Sequence, residues 1–157
     1  MNDVRSTARI AFPILTAVWA GTIIGVSLIA TPVKFQAPSL SMPVALEIGR
    51  YTFRLFTNLE LGFLIAAIVI AWLARTRRIT ACVLAAVAII VLLQRYWLLP
   101  ELDRRVSQIL AGSPVVFSHS HWMYAALDVF KPALLIAAAV LEYRSQSADA
   151  GKLRSLR

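Results

Sequence analysis

The sequence predicts an all-α integral membrane protein, a four-helix bundle running up, down, up and down as one domain over residues 1–157. Three observations predict it. Four apolar stretches are each about long enough to cross a bilayer, which takes roughly 20 residues of helix. Hydrophobic residues make up 59% of the chain and mean hydropathy is +0.73, more than soluble domains of this size carry. The basic residues, which give a net charge of +8, collect at the ends of the apolar stretches. There they orient spans and meet anionic headgroups, which makes membrane lipids their partner and argues against nucleic acid.

The first span covers residues 10–30, 21 residues without a charge. Arg5 and Arg9 precede it as in a signal peptide. The run is long for a signal core, however, and Leu28 to Pro32 makes a poor cleavage site, so it reads as a retained anchor. Pro13 lies in its first turn, where a missing N–H matters little. Gly21 and Gly25 form a GxxxG pattern, which lets another helix approach closely. Packing within this chain is its expected use; the alternative is a homo- or hetero-oligomer through the Gly21/Gly25 face.

Residues 31–42 contain Pro32 and Pro38, and Pro43 follows, so this is a connection. Ser41 can cap the second helix, residues 43–74, with Pro43 near its first turn. A helix of that length spans roughly 48 Å, more than the hydrocarbon core. Its early turns, with Glu47, Arg50 and Arg54, should project beyond the bilayer. Arg75 to Arg78 makes a tight basic turn. The third helix covers residues 79–99 and ends at Pro100. A polar connection follows over residues 101–118, with a short amphipathic helix from Glu101 to Leu110. The fourth helix covers residues 119–143, and residues 145–157 form a flexible basic tail. Nine cations flank the side that holds both termini and six the other. That places both termini in the cytoplasm and the protein in the plasma (inner) membrane.

In this topology the two longer connections share the outer side with the polar ends of helices two, three and four. Helix two brings Glu47, Arg50, Arg54 and Asn58 within a stripe about 80° wide, while Glu60 points nearly the other way. Helix three brings Gln94. Helix four brings His121, Tyr124, Asp128 and Lys131, again within about 80°. A charge inside hydrocarbon is costly unless paired or hydrated, so these stripes should face one another. Asp128 and Lys131 are i,i+3 neighbours that can pair. Pro132 cannot donate to the Asp128 carbonyl, which leaves that carbonyl free. The candidate ligand-binding set is therefore Arg50, Arg54, Asn58, Gln94, His121, Tyr124, Asp128 and Lys131, around an outward-facing polar vestibule. The plainer reading of the same residues is a set of salt bridges that locks helix two to helix four.

Other chemistries find less support. The single cysteine, Cys82, allows neither an internal disulfide nor a CxxC motif. On a helix, His119 and His121 point about 160° apart, so they cannot both ligate one haem. An extended His-x-His could hold copper or zinc with Glu47 or Glu101, but two ligands are too few. No metal, cofactor or catalytic residue is assigned. The tryptophans and tyrosines, Trp19 and Tyr124 included, read as aromatic belts at the membrane interfaces.

Three segments carry a family resemblance. They are Trp19-Ala20-Gly21 with Thr31-Pro32-Val33-Lys34-Phe35, then QRYWLLPELDRR from Gln94 to Arg105, and HWMYAALDVFKPALLIAAAVLEYR from His121 to Arg144. Over residues 15–144 the chain resembles the transmembrane-protein-205-like family, small four-helix membrane proteins of unknown function. The resemblance implies a four-helix bundle and singles out His121. Arg54, Asn58 and Glu60 also resemble the Arg…Asn…Glu signature of the membrane glutathione and eicosanoid enzymes. Here the glutamate follows the asparagine by two positions instead of three, which turns it about 100° off the shared face.

The expected function is binding, or helping to move, a small polar or ionic solute at the vestibule. Arg50 and Arg54 would attract an anion; Asp128, Lys131 and His121 would hydrogen-bond it or relay a proton. The alternative is a non-catalytic assembly subunit of a larger membrane complex. An enzyme of the glutathione/eicosanoid type comes third.

Overall fold

A computed structural model describes residues 2–114 and 119–155. Its helices are α1 (Asn2–Ile23), α2 (Thr31–Lys34), α3 (Met42–Ala74), α4 (Arg78–Leu93), α5 (Leu99–Leu110) and α6 (His119–Ser155). π-Helical segments Ile24–Ala30 and Gln94–Leu98 join α1 to α2 and α4 to α5. There is no strand among the described residues. Four continuous rods, over residues 3–34, 42–74, 78–110 and 119–148, are long and apolar enough to cross a membrane. The protein is an integral membrane four-helix bundle.

The rods are longer than the apolar patterns that mark them. The sequence suggests that Pro32 and Pro100 terminate spans, yet the helix passes through both. A proline inside a helix lacks an N–H and crowds the carbonyl four residues back. Widening the turn ahead of it to i→i−5 bonding relieves that clash. Both π segments lie immediately before such a proline-bearing turn, and the Thr31 N–H bonds to the Val26 carbonyl five residues back. The first and third rods therefore reach 32 and 33 residues, as long as α3 with 33. α6 runs through Pro132 and on to Ser155, so residues 145–155 of the expected tail are helical. Residues 115–118 of the polar connection lie outside the described residues, as do residues 156–157.

Short turns make neighbouring rods antiparallel. Gln146 Nε2 donates to the Arg9 carbonyl at 2.6 Å, so both chain ends share one end of the bundle, the terminal end. The opposite end carries the two longer connections. α1 packs against α3 and α6, and α4 packs against α6, while α3 and α4 touch less. Phe12, Trp19, Ile23, Phe56, Leu64, Val87, Val91 and Leu135 form the core. Leu55, Ile65, Ile89 and Phe130 point outward, as lipid-facing side chains do.

Two expectations change here. Gly21 and Gly25 lie on the outside, and a Cβ at either would meet nothing within 4 Å. The GxxxG face is thus unused within the chain, because α1 turns its Phe12, Trp19 and Ile23 side inward instead. Trp19 and Tyr124 are core residues, unlike Trp72, Trp97, Trp122, Tyr51, Tyr96 and Tyr143, which are exposed. Trp19 stacks on Phe63 at a centroid distance of 5.8 Å.

Candidate functional site

The middle of the bundle holds an ionic cluster to which every rod contributes. α3 brings Glu60, which lies fourteen residues before its last residue, Ala74, or roughly 21 Å along the helix. α6 brings Asp128 and Lys131, one turn apart on one face. The π segment Gln94–Leu98 brings Gln94, and α1 brings Trp19. Lys131 Nζ lies 2.6 Å from Glu60 Oε1 and 3.0 Å from Asp128 Oδ1. Gln94 Nε2 donates to Asp128 Oδ1 at 2.9 Å and to the Tyr124 carbonyl at 3.3 Å. Trp19 Nε1 donates to Glu60 Oε1 at 3.3 Å. Glu60, Gln94 and Lys131 are no more than 1% exposed and Asp128 is 2% exposed, so water does not screen these charges.

Such a cluster survives because each ion has an opposite charge or a donor. An isolated ion in this environment would be strongly unfavourable. The balance is nevertheless incomplete. Two carboxylates share one ammonium, and Glu60 Oε2 and Gln94 Oε1 are buried with no hydrogen-bond partner among the described residues. Buried acceptors are nearly always satisfied in proteins, so each of these two atoms has room for a donor that the described side chains do not supply.

A second polar layer lies nearer the connection end. α5, the continuation of the third rod, runs alongside the first turns of α3. Arg54 reaches Asp103 through Nε at 2.7 Å and Nη2 at 2.6 Å. Arg50 Nη2 donates to the Asp103 carbonyl at 2.8 Å and to Ser107 Oγ at 2.6 Å, with its Nε 3.7 Å from Asp103 Oδ1. Arg95 Nη1 donates to Asn58 Oδ1 at 2.7 Å. Arg54, Arg95, Tyr96, Leu99, Pro100 and Asp103 line an open depression of about 280 Å³. Two guanidinium groups against one carboxylate give it a positive balance.

The eight residues picked from the sequence therefore divide. Gln94, Asp128 and Lys131 join the buried cluster, and Tyr124 packs beside it with its ring edge-on to Phe53. Arg50, Arg54 and Asn58 belong to the outer layer, with Asp103 and Arg95 as partners in place of Asp128. His121 is exposed at the start of α6, its ring edge-on to that of Trp122. The single vestibule becomes two layers because Arg54 and Asn58 lie on the exposed side of α3, whereas Glu60 faces the core.

Glu60, Trp19, Arg95, Asp103 and Ser107 are the members that the stripes did not select. The signal for Glu60 is its setting, a carboxylate inside the apolar run from Leu59 to Leu73, which requires a cation at the same depth. The Arg54/Asn58/Glu60 constellation of the glutathione-type enzymes does not assemble, since each of the three takes a different partner. No group of three or more His, Cys, Asp or Glu able to hold a metal ion occurs among the described residues.

Fold and site together define a four-span membrane protein with an ionic centre. Residues 14–109 match the domain of unknown function DUF4149, more than half of the 157 residues, and the chain belongs to that family. No curated protein and no solved structure matches the chain. The matched region takes in Trp19, Glu60, Gln94 and the whole outer layer, and it ends before Asp128 and Lys131.

Proposed function

We propose that the protein binds a small anionic solute at the depression between Arg54 and Arg95 and couples it to the ionic cluster beneath. One observation carries this reading. Gln94 and Arg95 are adjacent in one π segment, and they serve different layers. Gln94 holds Asp128 in the cluster, while Arg95 lines the depression and holds Asn58. An anion that draws Arg95 away from Asn58 would pull on the turn that positions Gln94. π-Bulges are frequent at functional sites. The cluster, with one carboxylate more than its cations, is a place where a proton can be taken up and released as the solute moves. Nine flanking cations against six support termini in the cytoplasm and a depression that opens outward. The shared segments through α6 support kinship with the transmembrane-protein-205-like proteins.

Calorimetric titration of the detergent-solubilised protein with inorganic phosphate, acetate and chloride tests the reading. Saturable binding of at least one anion is expected, and Arg54→Gln and Arg95→Gln should each weaken it about tenfold, the worth of roughly 1.4 kcal/mol. Glu60→Gln should preserve binding and lose anion-dependent proton movement in proteoliposomes. Absence of saturable binding, or equal binding by the arginine variants, rejects the proposal.

The open Gly21/Gly25 face supports a second reading, an assembly subunit of a larger membrane complex, since close-approach faces suit helix partners. Purification in mild detergent would then yield a stoichiometric partner that Gly21→Leu releases.

A further inference from the structure

A second cavity, larger than the depression, lies at the other end of the molecule and has no part in the proposed solute site. It is a groove of about 1020 Å³ at the terminal end of the seam between α3 and α4. Its walls are Ile68, Ala71 and Trp72 from α3 and Ala81, Leu84, Ala85 and Ala88 from α4, with Val4 and Arg5 of α1 beside them. The groove exists because α4 turns alanines toward this seam, and alanine leaves the space that a larger side chain would fill. Its lining is mainly apolar, yet Arg5 and Arg75 stand at its rim. Neither arginine has an acidic partner among the described residues.

Arg75 adds an argument from backbone chemistry. α3 ends in a Schellman turn, in which the Arg75 N–H bonds to the Trp72 carbonyl and the Thr76 N–H to the Ala71 carbonyl. That turn puts Arg75 at φ 53°, ψ 55°, the left-handed conformation that favours glycine. Among the described residues it is the one non-glycine with positive φ. The fold alone would be better served by glycine here, so the guanidinium offsets a backbone penalty by something that it does outside the fold.

We infer that this groove is a binding site for an anionic phospholipid, with an acyl chain along the alanine wall of α4 and the headgroup phosphate between Arg5 and Arg75. The charge of the rim selects the occupant. An apolar channel ending in two unpaired guanidinium groups complements a molecule with a long apolar tail and a phosphate at one end. Arginine forks match phosphate geometry, and basic pockets between spans are a recurring way of holding anionic headgroups. A helix from another copy would fill the apolar part and leave both arginines unanswered.

Native mass spectrometry of the full chain released from nanodiscs of mixed phosphatidylglycerol and phosphatidylcholine tests the inference. The wild type should retain phosphatidylglycerol several-fold over phosphatidylcholine. Arg75→Gly is the discriminating variant. It relaxes the turn, so its thermal midpoint should stay level or rise while retention of phosphatidylglycerol falls several-fold. Arg5→Gln should lower retention, and Ala85→Leu, which narrows the channel, should lower it without touching a charge. Equal retention of the two lipids by the wild type overturns the inference, as does undiminished retention by Arg75→Gly. A dimer that Ala85→Leu dissociates would show that a second copy occupies the groove, and it overturns the lipid assignment.

Discussion

The buried cluster and the Arg50/Arg54/Asp103 layer use the same chemistry, cations against carboxylates, at two depths of one bundle. Glu60, Asp128 and Lys131 are sealed from solvent, whereas the Arg54 side chain is 53% exposed and Asp103 is 19% exposed. The difference shows that depth, more than the number of ion pairs, sets what each charge does. At the rim, water reaches the Arg54 guanidinium, and a pair there adds less than about 1 kcal/mol. In the interior the pair barely compensates for lost hydration, but removing one member exposes the whole desolvation penalty of the other. The cluster is therefore a poor source of stability and a strong constraint on what can replace it.

The largest expected effect comes from breaking the interior balance. Lys131→Met leaves Glu60 and Asp128 facing each other without a cation, and should destabilise the bundle by about 3–5 kcal/mol in detergent unfolding. Adding Glu60→Gln and Asp128→Asn to Lys131→Met removes the charges altogether and should recover most of that loss. If the triple variant is as unstable as the single one, packing around the Lys131 stem dominates, and the contrast between the layers fails. A smaller effect is expected from Gln94→Leu, which keeps the volume but withdraws the amide from Asp128. Its expected loss is about 1.5 kcal/mol, the lower end of the range for a hydrogen bond to a charged group. The same change also eliminates the unpartnered Gln94 Oε1.

Much of this could be read before any coordinates, for a physical reason. Span length and apolar content follow from the thickness of the bilayer, so four rods are legible from composition alone. Gln94, Asp128 and Lys131 stand out because polar groups in apolar runs must find partners. Glu60 obeys the same rule but is hidden by phase. Measured against the stripe of Arg54 and Asn58 it points away, and nothing in the local pattern says that the stripe is the outer face. Asp103 is hidden by Pro100, which looks like the end of a span. The π segment absorbs the proline, carries the helix onward and swings Asp103 over Arg50 and Arg54. Trp19 reads as an interfacial aromatic because only the partner across the bundle shows that its N–H is needed at the centre.

The smallest expected effect on stability, and the sharpest contrast in function, belongs to Asp103→Asn. Asp103 holds Arg54 through two short contacts and Arg50 through its side chain and carbonyl. The Arg54 side of the pair is open to solvent, so its loss should lower stability by about 1 kcal/mol or less. Even that difference should vanish in 1 M salt, where the screening length is about 3 Å. Function should move the opposite way. Without its carboxylate the rim becomes more positive, and Arg50 and Arg54 are released toward the depression, so affinity for a small anion should rise several-fold. The cluster permits no such trade for its cation, because removing the one ammonium strands two carboxylates. If Asp103→Asn weakens anion binding, the aspartate orients the arginines instead of competing with the solute. The rim would then resemble the interior, each charge held in place by its neighbour.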